Sequence, residues 1–387
     1  MFAETQTPMR CTELVEVKIN WLYHMTIKKQ SNLHMKLART FNLKLKYCAT
    51  IVCFILLQSC IKDRPQEPSV TSVSINADNK VLVVNEGNYG WGIGTVSLYD
   101  PASGSAVEDY YKQQNANATL GNVCQSVTKY NNNYYIVMNN SNKIVVANAS
   151  DFVKKATIPG FNSPRYLLPI TYSKAYVSDL YQNSIQVVDL NANVISGSIS
   201  CAAGTEEMAL IYNKAFVTNS NTNYCYVINT MTDVITDSIA IGVGGSSIAI
   251  DKNSKVWVLT VGNATTSQAA KLVRINPINL QVELSLSFPV GDGPIKLTPN
   301  KTRDTLYYIN KGVNRFLISQ NQLPSNPLIS QGSKKYYGLG VHPKTYQLYV
   351  SDAIDYVQKS KIEIYDVNGN IVSGFNAGVM SNSFVFE

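Results

Sequence analysis

From about Asn79 to the end of the chain, a five-residue apolar run closing on Asn or Asp recurs at regular intervals. It reads Val81-Leu-Val-Val-Asn85, Tyr135-Ile-Val-Met-Asn139, Ala175-Tyr-Val-Ser-Asp179, Ala215-Phe-Val-Thr-Asn219, Leu306-Tyr-Tyr-Ile-Asn310 and Leu348-Tyr-Val-Ser-Asp352. Val256-Trp-Val-Leu-Thr260 is a degenerate seventh copy. The final residues of successive copies lie 54, 40, 40, 41, 50 and 42 positions apart. Short β-branched and aromatic runs with a period near forty, and no helical pattern, predict propeller blades of four strands each.

The third repeat predicts strands over Ser163–Ile170, Ala175–Asp179, Ser184–Leu190 and Val194–Ile199, separated by Asn, Ser and Gly where the backbone reverses. The fourth follows the same plan with Glu206–Ile211, Ala215–Asn219, Tyr224–Thr230 and Val234–Ile239. A blade cannot bury both faces of its sheet alone, so neighbours must stack and the ring must close. The first repeat opens directly on its second strand, whereas Ser381–Glu387 resembles the first strands of the other repeats. This tail is therefore expected to complete blade one and to clasp the ring. The fold class is an all-β, seven-bladed β-propeller over residues 79–387. Val256–Thr260 and the long spacing after it weaken the pattern on one side of the ring.

Ahead of the propeller, Lys36, Arg39, Lys44 and Lys46 precede the apolar run Cys48–Leu57, which is too short for a stable bilayer-spanning helix. Leu57-Gln-Ser-Cys60 resembles the bacterial lipobox, so 35–59 is read as a lipoprotein signal peptide and Cys60 as the lipidation site. Residues 60–78 then form the lipidated Cys and a polar tether, and 1–34 a spurious extension ahead of the true start. More than one acyl chain on Cys60 makes the anchoring stable. The expected location is the outer membrane, lipid-anchored and exposed at the cell surface.

Removing the leader changes the charge. Residues 1–59 hold eight of the 33 Lys/Arg and three of the 26 Asp/Glu, which leaves 25 against 23 and a net of +2. The case for nucleic-acid binding goes with it. Of the seven Cys, Cys124, Cys201 and Cys225 remain beyond the lipobox, without metal-like spacing. Buried thiols are expected rather than a Cys201–Cys225 bridge. His342 is the only His beyond the leader, so a His-based triad or multi-His metal centre lacks material.

The runs Tyr176-Val-Ser-Asp179, Phe216-Val-Thr-Asn219 and Tyr349-Val-Ser-Asp352 resemble the YVTN repeat of YncE-like seven-bladed propellers. With the lipobox, the chain resembles the YncE-like surface lipoproteins of Bacteroidetes. The resemblance implies a non-enzymatic protein that captures cobalamin or a similar nutrient and passes it to a TonB-dependent outer-membrane transporter. It implies no catalytic residues, no metal and no cofactor.

The loops joining strands two and three should rise around one end of the central channel, with inter-blade residues Arg165, Tyr166, Glu206, Glu207, Lys296, Tyr336 and Tyr337 beside them. Trp91 stands out, because it shares the glycine-rich loop Glu86–Gly94 with Tyr89 and packing does not require a large ring there. Either both rings stack on a flat ligand, or both fold down over blade one. Tyr181 and Tyr356 occupy matching loops. For a corrinoid, Tyr89, Trp91, Tyr181 and Tyr356 would supply stacking area, and Arg165, Asn183, Asn223 and Lys311 hydrogen bonds. Glu206 and Glu207 are expected to be solvated or paired with Lys. Two other functions stay open: a protein-interaction scaffold, and a metal-dependent propeller hydrolase or lactonase using Glu86, Glu206 and Asp355.

Overall fold

The computed structural model describes residues 79–387; the lipobox Cys60, the signal peptide and the tether lie outside the described residues. Seven four-stranded antiparallel sheets form seven blades. Blade two spans 124–159, blade three 164–200, blade four 205–240, blade five 245–287, blade six 295–330 and blade seven 336–379. In blade three the strands are Pro164–Pro169, Lys174–Asp179, Ser184–Asp189 and Val194–Ser200, each within two residues of the sequence expectation.

Every apolar run is the second strand of its blade. It is apolar on both faces, not alternating, because each sheet is sandwiched between two neighbours. Ala175 and Val177 pack towards blade two, whereas Tyr176 packs towards blade four. Seven separate cores result, one for each junction between adjacent blades.

The Asn or Asp that ends each run has a structural task. Asp179 is fully buried; its Oδ1 accepts from the backbone N–H of Tyr181 and Gln182 and its Oδ2 from that of Asn162. Asn219 accepts from Asn221 and Thr222 N–H at 2.9 Å and donates to Ala202 and Ala203 carbonyls at 3.0 Å. One side chain thus ties the loop after strand two to the inter-blade loop beside it. In the degenerate copy, Thr260 Oγ1 accepts from Lys271 N–H at 2.8 Å instead.

The C-terminal strand, Ser381–Phe386, pairs antiparallel with Val81–Asn85 and completes blade one as expected. Asn382 Nδ2 donates to Glu86 Oε1 at 2.6 Å and to the Gln125 carbonyl at 2.8 Å, and Ser381 Oγ donates to Asn85 Oδ1 at 2.6 Å. Glu387 accepts from Tyr134 and pairs with Lys129 of blade two. Blade seven comes so close that a Cβ on Gly338 would lie 2.7 Å from the Ser381 carbonyl oxygen.

Two expectations are corrected. The side of the ring holding Val256–Thr260 is not weakened at blade five. That blade is a regular sheet, with Trp257 fully buried and its Nε1–H donating to Asp251 at 2.8 Å. The irregular blade is six, whose outer strand is the two residues Ile329–Ser330. The chain is also not wholly without helix. Tyr110–Gln114 forms one turn after blade one and buries Tyr110 and Tyr111 against Phe152, which accounts for much of the 54-residue first spacing. His342 is buried, its Nδ1 accepting from Lys344 and Thr345 N–H. Cys124, Cys201 and Cys225 are all free thiols.

Candidate functional site

The innermost strand of every blade carries a bulge at the same height, near the channel mouth. The register shifts fall between Cys124 and Ser126, Pro164 and Leu167, Thr205 and Met208, Gly245 and Ser247, Ile295 and Thr298, Tyr336 and Gly338, and opposite Val84/Asn85 in the clasp. A bulge turns an extra residue away from the ladder. Here the extra residues are Gln125, Arg165, Glu206, Ser246, Lys296, Tyr337 and Asn382, one per blade, and Lys296 takes a left-handed φ of 62°. Successive innermost strands contact one another round the ring, so these side chains converge on one polar layer. Tyr166 and Glu207, next in sequence to the bulged residues, join it.

Most of the layer is satisfied internally. Arg165 Nε donates to Glu206 Oε2 at 2.9 Å, and its Nη1 donates to Gln125 Oε1. Both Glu86 oxygens are occupied, one by Tyr337 O–H at 2.7 Å and the other by Asn382. Glu207 Oε2 accepts from Ile248 N–H at 3.1 Å. Lys296 lies over the Tyr337 ring, 5.8 Å from its centroid.

Burial sets the protonation of the layer. It raises Glu207 to about 7, against the opposing pull of the Lys296 charge and the Ile248 hydrogen bond. It raises Glu206 despite the adjacent Arg165, and it lowers Lys296 despite Glu86 and Glu207. Burial also works against the Arg165 cation, but Glu206, Tyr166 and Glu86 together outweigh it and hold the guanidinium charged. Glu206 is thus buried and paired with Arg165 rather than solvated or paired with Lys, contrary to expectation, whereas Glu207 is partly exposed to the channel and forms no ion pair.

The layer divides the channel. Above it, a cavity of about 190 Å³ is lined by Arg165, Glu206, Glu207, Ser246, Lys296 and Tyr337. Below it, a cavity of about 270 Å³ is lined by Leu297, Leu339, Val341, Phe384 and Phe386. Gln125, Tyr166, Glu207 and Lys296 border both.

The loops at the mouth hold the remaining sequence candidates. Trp91 and Tyr89 are 74% and 67% exposed, so neither folds down over blade one. Their loop is held from beneath, because Asn122 Nδ2 donates to the Asn88 and Gly92 carbonyls and its Oδ1 accepts from Gly90 N–H. Asn88 donates to the Tyr356 carbonyl at 2.6 Å, which joins this loop to that of blade seven. Tyr181 and Tyr356 are exposed, and Tyr356 makes an edge contact with Tyr337 of the polar layer at 6.0 Å.

The four hydrogen-bonding candidates divide. Arg165 is engaged within the layer. Asn183 accepts from Ala203 N–H at 3.2 Å, Lys311 pairs with Asp292 at 2.6 Å, and Asn223 is exposed. Tyr336, grouped with the mouth residues from sequence, is buried at the junction of blades six and seven, its hydroxyl against that of Tyr365.

Sequence reading missed Gln125, Ser246 and Asn382. A signal existed: Gln125, Arg165, Glu206, Ser246, Lys296 and Tyr337 all lie thirteen to fifteen residues before the end of the apolar run that follows. Among the described residues, no group of three or more His, Cys, Asp or Glu is arranged to hold a metal ion.

These features define a seven-bladed propeller with a polar layer across its channel and exposed aromatic rings around one mouth. The chain belongs to the family described as Domain of unknown function (DUF5074), whose profile matches residues 79–379. No curated protein matches it. It is similar in fold to a quinonprotein alcohol dehydrogenase-like protein from Bacteroides thetaiotaomicron VPI-5482, at 13% identity and a TM-score of 0.65, over 81% of this chain and 79% of that one. It is also similar to the periplasmic gluconolactonase of Pseudomonas aeruginosa, at 11% identity and a TM-score of 0.60, over 80% and 98% of the two chains. A functionally unknown protein from Desulfotomaculum acetoxidans DSM 771 matches at 12% identity and a TM-score of 0.60, over 80% and 99%. At such identities the likeness is one of fold alone.

Proposed function

We propose that the protein is a non-enzymatic capture lipoprotein, anchored through Cys60 at the outer membrane. Its mouth grips a sizeable, partly flat nutrient, with a corrinoid such as cobalamin the first ligand to test. It then docks on a TonB-dependent transporter. The observation that carries this reading is the exposure of Trp91 and Tyr89 on a hydrogen-bonded loop. A large ring held in water adds nothing to the core, but it offers contact area at little conformational cost. Tyr181 and Tyr356 extend that area around the same mouth, and the exposed Asn183, Asn223 and Lys311 provide polar contacts at its rim.

The test is a calorimetric titration of residues 61–387 with cobalamin, with Trp91→Ala in parallel. Sub-micromolar binding that weakens in the variant supports the reading, whereas a flat trace removes the corrinoid. A second reading, lactone hydrolysis in the channel, is favoured by Glu207 alone: a carboxyl near 7 suits a general base. Turnover of a gluconolactone by the wild type and its loss in Glu207→Gln would establish that reading; no turnover would exclude it.

A further inference from the structure

We propose that the polar layer holds a second site, for a small zwitterion of the α-amino-acid kind, its carboxylate on Lys296, its ammonium on Glu207 and an apolar side chain in the cavity below. This site does not rest on the corrinoid reading, which concerns the exposed loops at the mouth.

Arg165 and Glu206 neutralise one another, and Glu86, whose charge acts on Lys296 through space, has both oxygens taken by Tyr337 and Asn382. Lys296 and Glu207 remain. Among the described residues, the Lys296 ammonium makes no hydrogen bond or ion pair, its one polar contact being the face of Tyr337. Glu207 accepts a single backbone hydrogen bond through one oxygen. The two are close enough to shift one another's protonation, yet they form no ion pair. An ammonium and a carboxylate held apart in a buried channel are costly unless something completes them.

The space between them has a structural origin. Glu207 comes from blade four and Lys296 from blade six, and blade five between them contributes the short Ser246. The gap this leaves is part of the cavity of about 190 Å³. A simple anion there would satisfy Lys296 but confront Glu207, and a simple cation the reverse. A molecule carrying both charges a few bonds apart satisfies both. The Tyr166 hydroxyl, which accepts from Gln125 Nε2 at 3.5 Å, keeps its own proton to donate to the carboxylate. Beneath the layer, Leu297, Leu339, Phe384 and Phe386 share the lining with Thr298, Asn382 and Ser383, and the four apolar groups there can receive a hydrocarbon side chain.

The test is calorimetric titration of the full-length chain with L-leucine, alongside 4-methylpentanoate, which lacks the amine, and isoamylamine, which lacks the carboxylate. L-Leucine is expected to bind at least about tenfold more tightly than either analogue, each of which leaves one buried charge unpaired. Lys296→Met and Glu207→Gln should each weaken L-leucine binding by a similar factor, while thermal melts confirm that both variants fold. Absence of L-leucine binding at millimolar concentration, equal binding of either analogue, or undiminished binding by both variants would overturn the proposal. Cobalamin is titrated separately: a flat trace there leaves this site standing, and a flat L-leucine trace leaves the mouth site standing.

Discussion

Replacing Glu207 by Gln should stabilise the ligand-free protein, and only on the alkaline side. Burial raises the Glu207 carboxyl from an ordinary 4.5 to about 7 in the folded state. Folding therefore favours the protonated form. The associated stability is complete below pH 4.5 and is lost as pH rises through about 7. The rise from 4.5 to about 7 corresponds to a ceiling of about 3–4 kcal/mol, at about 1.4 kcal/mol per pKa unit. Channel water reaches Glu207, and Lys296 loses a counter-charge in the variant, so a gain of about 1–2 kcal/mol is expected above pH 8. The neighbouring charges are Lys296, Glu206 and Arg165, and the substitution leaves their own contacts in place. The amide keeps an oxygen for Ile248 N–H and the shape of the side chain, so no cavity forms. For a domain of this size the gain is a rise in Tm of about 2–5 °C. Thermal unfolding followed by circular dichroism at pH 5 and pH 8 measures it, as the variant-minus-wild-type difference at each pH. Lys296, whose lowered pKa makes the fold more stable as pH climbs towards 10.5, contributes in both proteins, so only the variant-minus-wild-type difference is read. An equal advantage at both pH values, or a loss at pH 8, would refute the assignment of a buried, reluctantly ionised carboxylate. The same variant is expected to lose L-leucine affinity, so stability and binding move in opposite directions.

Ending the chain at Met380 removes the strand paired with Val81–Asn85 and the partly buried Phe384 and Phe386. At about 1.5–3 kcal/mol per ring and about 1 kcal/mol per hydrogen bond, the loss rivals total domain stability. The truncated protein should show no cooperative melt, and a Tm within a few degrees of wild type would contradict the clasp. Asn219→Ala removes four hydrogen bonds from a fully buried site and should cost about 2–4 kcal/mol in urea unfolding, whereas Asn219→Asp, which keeps the accepting half, should cost clearly less. Equal losses would show that the capping geometry is misassigned. Trp91→Ala should leave stability within about 0.5 kcal/mol, since the ring is 74% exposed; a larger loss in the same assay would mean it packs rather than waits for a ligand. In native protein at pH 8, a thiol reagent should spare Cys225, which burial pushes up to about 12, and modify it only after unfolding.

Much of this architecture was readable beforehand because its causes are local. A run such as Ala175–Asp179 is apolar on both faces only if sheets pack on both sides, and its terminal Asp repeats because every blade needs one side chain to cap the next loop. The clasp was legible for the same reason: Ser381–Glu387 has the character of a first strand without a blade of its own, and blade one lacks that strand. The one-turn helix escaped notice because five residues carry no periodicity, and blade five read as weak because Thr260 stands where Asn or Asp stands elsewhere. At the mouth, sequence singled out Trp91 and Tyr89 as rings without a packing role, but their orientation depends on Asn122, some thirty residues away.

The chain by itself thus determined the number of blades, the strands within them and the manner of closure, since each follows from which residues prefer an extended, doubly buried backbone. Only the tertiary structure decided the channel layer. Gln125, Arg165, Glu206, Ser246, Lys296, Tyr337 and Asn382 are each ordinary polar residues near a strand start, and seven aligned bulges turn them to a common centre. Which of them neutralise one another, and that Lys296 and Glu207 are left facing across a gap, depends on distances through the channel between blades far apart in sequence. Burial and charge act through space, and no spacing along the chain encodes them.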